Sequence, residues 1–153
     1  MAGLIYEVNI PQTSLTASTA TVVGFITTPT NQRVRLKAYG FFFDGTTNSA
    51  TPVEIKLARP TTGTFTAGGL AIKTEPGLGE TVQSTVGLTA SGQPTLPGSP
   101  IQVYKTITVH PQLGYEYIAP LGEEEQLAGG TTWCVSATAA ATVNIRGYFR
   151  AEE

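Results

Sequence analysis

The chain has 153 residues, a size that suits one domain built around one core. Charged residues make up only 13% of it and the net charge is −2, so no basic field is present to hold nucleic acid through its phosphates. The single cysteine excludes an internal disulfide, and no apolar run approaches the ~20 residues of a membrane-spanning helix.

Threonine is the commonest residue, with 25 copies, and its branched Cβ suits a pleated surface. The 17 glycines and 10 prolines break the chain into short segments, as tight turns between strands require. The opening MAGLIYEVNIP lacks the basic region and the roughly 7–15-residue apolar core of a signal peptide. In LIYEVNI, Leu4, Tyr6 and Val8 alternate with Ile5, Glu7 and Asn9, and the following PQTSLTAST is polar without a period. Residues 1–18 are therefore expected to be an extended N-terminal arm outside a domain over residues 19–153, with an ordinary first strand and loop as the alternative.

Residues 20–27 (ATVVGFIT) read as a strand, ended by turn chemistry at Pro29 and Asn31. In 33–43, Val34, Leu36 and Ala38 oppose Arg33, Arg35 and Lys37, and Gly40 before three phenylalanines marks either a bulge or a strand end buried on both faces. Asp44-Gly45 is a turn signal. Val53, Ile55 and Leu57 alternate over 52–59. A structureless stretch as long as 60–100 is improbable in a compact domain, so weak edge strands are expected near 70–74 and 81–89. Residues 101–109 put Ile101, Val103, Ile107 and Val109 on one face, with Lys105 intruding. A short strand at 115–118 follows, and LGEEEQLAGG reads as a loop with at most one helical turn. Trp133, Val135 and Ala137 share a face, as do Val143, Ile145, Gly147 and Phe149. No segment sustains a 3.6-residue period, so the fold class is all-β. About eight strands point to a single-domain β-sandwich, and a jelly roll in preference to an immunoglobulin layout.

Groups for chemistry are sparse. His110 stands alone at a strand end, and Cys134 lies in an apolar strand. Glu123, Glu124 and Glu125 are the one dense charge run, without the spacing of a calcium loop. Glu54, Glu75, Glu80 and Glu116 do not select a catalytic carboxylate pair, and TTGTFTAGG lacks the lysine of a phosphate loop. The chain is expected to be no enzyme and to bind no cofactor or metal. Tyr115 and Tyr117, beside Glu116, are the better candidates for a sugar platform, and equally for sheet packing or a subunit contact; Trp133 reads as core.

Two stretches carry a resemblance. The run PTNQRV…FDGT…PVEIKLARPTTGT within residues 20–60, and TVHPQLGYEYIAPLGEE with the closing ATVNIRGYFRAEE over 101–150, resemble head decoration (cement) proteins and related minor virion proteins of tailed bacteriophages. The resemblance implies a β-sandwich or jelly-roll homotrimer on the outer capsid surface of the virion, clamping neighbouring subunits of the major capsid protein. It carries no catalytic motif. It also gives the N-terminal arm a role: Leu4, Ile5, Tyr6, Val8 and Ile10 would bind a partner by adding a strand to it. A tail- or fibre-associated structural sandwich and a carbohydrate-binding module are the alternatives.

Overall fold

Period-2 burial runs through the computed structural model, which describes residues 3–47, 50–60, 71–73, 79–88 and 101–153. Among the described residues eleven strands follow in chain order: β1 (Ile5–Leu15), β2 (Thr21–Thr27), β3 (Val34–Phe43), β4 (Val53–Pro60), β5 (Ala71–Lys73), β6 (Thr85–Leu88), β7 (Ile101–Val109), β8 (Gly114–Ile118), β9 (Glu125–Leu127), β10 (Thr132–Thr138) and β11 (Val143–Glu152). No helix occurs among the described residues. Eight strands have five residues or more; β5, β6 and β9 have three or four, too few to print a pattern in the sequence.

The strands form two antiparallel sheets facing each other as a β-sandwich. The first has the order β5-β1-β11-β3-β8, with β9 continuing the β8 row along β3; the second has the order β6-β2-β10-β4-β7. The long strands pair in a nested fashion: β1 with β11, β2 with β10, β3 with β8 and β4 with β7. The chain is thus one long antiparallel ribbon folded over on itself, closed by β11 against β3 and β10 against β4. The weak strands expected in the 60–100 region are β5 and β6, which end the two sheets on the same side. In place of a helical turn after Leu121, Glu125–Leu127 pairs with Val34–Leu36.

One apolar layer fills the space between the sheets. Trp133, Tyr6, Tyr39, Phe41 and Phe149 are all fully buried, and the Trp133 and Phe149 rings meet edge to face at 5.6 Å. Burying side chains of this size stabilises the fold by about 1.5–3 kcal/mol each. A smaller cluster of Val22, Phe25, Ala58 and Cys134 lies on the other face of the second sheet. Cross-strand pairing puts Cys134 between Phe25 and Ala58, and burial pushes its thiol up to about 12, so it is an inert packing group.

Three expectations are corrected. Residues 5–15 do not form an arm outside the core. They are an interior strand of the first sheet, hydrogen-bonded between β11 and β5, and Leu4, Tyr6, Val8 and Ile10 are buried inside the sandwich with Ile5 half-buried. The polar TSLTAST stretch hid this, because the alternation resumes only after a register shift around Pro11, which has no N–H to give to the ladder. Secondly, the bulge in β3 is at Lys37, opposite Arg150 and Ala151, not at Gly40. It turns Tyr39 and Phe41 inward, while Gly40 lies on the outer face directly beneath the Tyr148 ring, where a Cβ would collide at 2.8 Å. Thirdly, β7 bulges at Tyr104, so Val103 turns outward while Lys105, Ile107 and Val109 turn in.

On the β5 and β6 side, the residues just before β6 are tied to the two chain ends. The Glu153 carboxylate accepts the Ser84 N–H at 3.0 Å and the Ser84 hydroxyl at 2.6 Å, and the Glu153 backbone exchanges hydrogen bonds with Leu4. Because β1 is interior, deleting residues 3–10 should abolish the cooperative thermal transition seen by circular dichroism. A shortened chain that still melts cooperatively near the wild-type temperature would contradict the placement of β1.

Candidate interaction surface at the β7 and β8 edges

Opposite β5 and β6, β7 ends one sheet and β8 the other. Among the described residues nothing pairs with the outer side of either strand. The gap between these edges is filled by a layer of aromatic rings around one ammonium group. Lys105 points inward in phase with Ile107 and Val109, and its Nζ donates a hydrogen bond to Tyr39 Oη at 2.8 Å. The same Nζ sits 4.2 Å from the centre of the Tyr117 ring, 5.4 Å from Tyr39 and 5.9 Å from Tyr115. Such contacts contribute roughly 0.5–2 kcal/mol each, depending on desolvation. Desolvation opposes the charge on Lys105, but the phenol oxygens of Tyr39 and Tyr115 outweigh it and hold the ammonium above its ordinary value. Burial raises Tyr39 in turn, with Lys105 opposing.

A second polar chain lies behind this layer. Trp133 Nε1 donates to Tyr104 Oη, and the Arg59 guanidinium stacks over the Tyr104 ring at 5.3 Å. Arg59 Nη2 reaches Glu125 Oε1 at 3.4 Å and the Gln126 carbonyl at 3.3 Å. Burial raises the Glu125 carboxyl, with Tyr104 and Arg59 opposing, and burial also raises the Tyr104 phenol. Tyrosine, tryptophan and arginine thus mend the end of the core where the sheets part.

The outer side of the same edge is apolar. Leu121 is 93% exposed, Ile118 69%, Leu113 63% and Phe42 44%. These residues follow β8 from one end to the other, since Phe42 pairs with Gly114 and Ala38 with Ile118. Glu116 stands between them, accepting a hydrogen bond from Tyr148 Oη. Burial, and then that carboxylate, push the Tyr148 phenol up to about 12. Aromatic and aliphatic side chains lined along a strand edge mark a contact surface in preference to scattered surface apolarity.

The remaining candidates from the sequence are elsewhere. Leu4, Tyr6, Val8 and Ile10 are enclosed by their own chain. Tyr115 and Tyr117 point inward at Lys105 and the core, so they pack the sheet and present no free sugar platform. Of the glutamate run, Glu124 pairs with Lys37 at 2.9 Å, Glu125 with Arg59, and Glu123 is exposed. His110 Nδ1 accepts the Gln112 N–H at 3.2 Å and shapes the β7–β8 turn. Glu75 and the TTGTFTAGG run lie outside the described residues. No group of three or more His, Cys, Asp or Glu able to hold a metal ion occurs among the described residues, and no described helix is long and apolar enough to cross a membrane. A cavity of about 230 Å³ at one end of the sandwich is lined by Asp44, Thr46, Thr51, Pro111, Ala139 and Asn144. Asp44 accepts the Asn144 N–H at 2.9 Å and its side-chain amide at 2.6 Å, which holds the carboxyl below its ordinary range.

No family model, no curated protein and no solved structure matches the chain.

Alternation already places Lys105 on the inward face with Ile107 and Val109; the signal that sequence reading missed is the Tyr104 bulge, which moves Val103 out. An inward-pointing charge on an edge strand is a recognised barrier to edge-to-edge pairing. Lys105→Met should leave the melting temperature within a few degrees while driving association beyond that of the wild type in sedimentation velocity. Lys105→Arg should not. Unchanged sedimentation of the methionine variant would remove Lys105 as an edge guard.

Proposed function

We propose that the chain is a virion structural protein, a capsid decoration (cement) protein of the tailed-phage kind. It would sit on the outer capsid surface, bind neighbouring subunits of the major capsid protein and associate with two further copies of itself. The observation that carries this reading is the apolar row Leu113, Phe42, Ile118 and Leu121 along the β8 edge. A cement protein acts by adding contact area across seams between subunits, and its working parts are therefore exposed apolar side chains on a rigid frame. The nested pairing of β1–β4 with β7–β11 supports reading the sandwich as a jelly roll, a frame that recurs in capsid proteins. The resemblance of residues 20–60 and 101–150 to decoration proteins supports the same reading.

Light scattering should give the mass of a trimer, and the protein should co-sediment with undecorated capsids. An Ile118→Lys, Leu121→Asp double variant should keep the wild-type melting temperature, because both side chains are exposed, and lose capsid affinity by roughly tenfold or more. A monomer that ignores capsids, or a double variant that binds them as well as the wild type does, would contradict the proposal.

A further inference from the structure

Of the two sheet edges that meet on this side, one is guarded and the other is open. β7 carries an inward ammonium at Lys105 and a bulge at Tyr104, both of which disrupt pairing with another strand. β8 carries neither. Its register with β3 is regular from Gly114 to Ile118. The Ala119 N–H bonds to the Lys37 carbonyl, and the alternation of an antiparallel ladder then fixes the rest: Tyr115 and Tyr117 turn their N–H and C=O groups toward β3, while Gly114, Glu116 and Ile118 turn theirs outward. Those three outward-bonding residues are all exposed.

We infer that β8 accepts an added antiparallel strand from another polypeptide, a segment of about five residues with a basic side chain at its centre and apolar side chains two positions to either side. The outer-face side chains of β8 set this pattern. The Glu116 carboxylate, held by Tyr148, faces the central position and favours a lysine or arginine there. Ile118 faces one flanking position, and Phe42, lying over Gly114, faces the other. A second copy of β8 docked with the twofold axis at Glu116 would put two Glu116 carboxylates directly opposite, which is destabilising, so the charge disfavours this register and favours a segment with a basic residue there. Main-chain hydrogen bonds would supply affinity and the alternate side chains specificity. This inference rests on reading the β8 edge as the contact surface and adds how contact is made.

The test uses the isolated full chain and fluorescent seven-residue peptides that alternate threonine with valine and carry either lysine or glutamate at the centre. The lysine peptide should bind saturably, roughly tenfold more tightly than the glutamate peptide. Glu116→Gln should shrink that preference while keeping binding. Glu116→Pro removes the outward N–H without touching a bond to β3, and should abolish binding of both peptides with the melting transition retained. If Glu116→Pro does not fold, protection of the Glu116 and Ile118 amides from hydrogen exchange by the lysine peptide on the wild type decides the matter. The inference is overturned by no saturable binding, by equal affinity for the two peptides, or by binding that spares those amides. Peptide docking without capsid binding would overturn the capsid reading alone, and capsid binding sensitive to Ile118 and Leu121 without peptide docking would overturn strand addition alone.

Discussion

An open sheet must do something with the unpaired N–H and C=O groups of its outermost strands, and the described residues of this sandwich include five such strands, β9 continuing the β8 edge. β5 and β6 lie on one side, where Glu153 ties Ser84, just before β6, to Leu4 at the start of β1. β7 and β8 lie on the other. There the sheets stay parted, and a lysine with three tyrosines fills the opening. The apolar row, the exposed backbone of β8 and the inward lysine of β7 all follow from how this one side is finished.

The finish depends on two bulges. At Lys37 the extra residue shifts the phase of β3, so that Tyr39 and Phe41 enter the core and Lys37 reaches Glu124 and Glu152 at 2.9 and 2.8 Å. At Tyr104 the extra residue shifts β7, so that Val103 turns out while Lys105 stays inward and meets Tyr39. The hydrogen bond between these two residues therefore joins the sheets where both have just changed phase. A net gain of about 1 kcal/mol from that bond matters less than its position, because it seals a core end that would otherwise admit water.

Much of the fold was legible in the residues. Alternation in VRLK, PVEIKLA, TWCVSA and TVNIRGYF named the correct inward faces, and the turn residues named the boundaries. The edge strands near 71 and 85 followed from the improbability of a long structureless loop. What escaped were phase changes. A bulge leaves no composition of its own, so the phase change at Lys37 was invisible and Val103 read as core. The N-terminal strand was misjudged for a related reason: Pro11 interrupts its pairing and its second half is polar, yet Leu15 is fully buried. The candidate surface was hardly legible at all. Leu113, Ile118 and Leu121 sit in three different local contexts, and Phe42 is some seventy residues away in the chain. Only the β3–β8 register brings them into one row. Tyr115 and Tyr117 were visible as a pair, but which side they faced depended on strand placement.

Residue-resolved amide hydrogen exchange on the isolated chain tests most directly that β8 is an open edge beside a guarded one. The account predicts fast exchange at Glu116 and Ile118 alongside strong protection at Tyr115 and Tyr117, whose amides bond to β3. Equal protection along the whole of Gly114–Ile118 would contradict it, since the outer side of β8 would then already be covered.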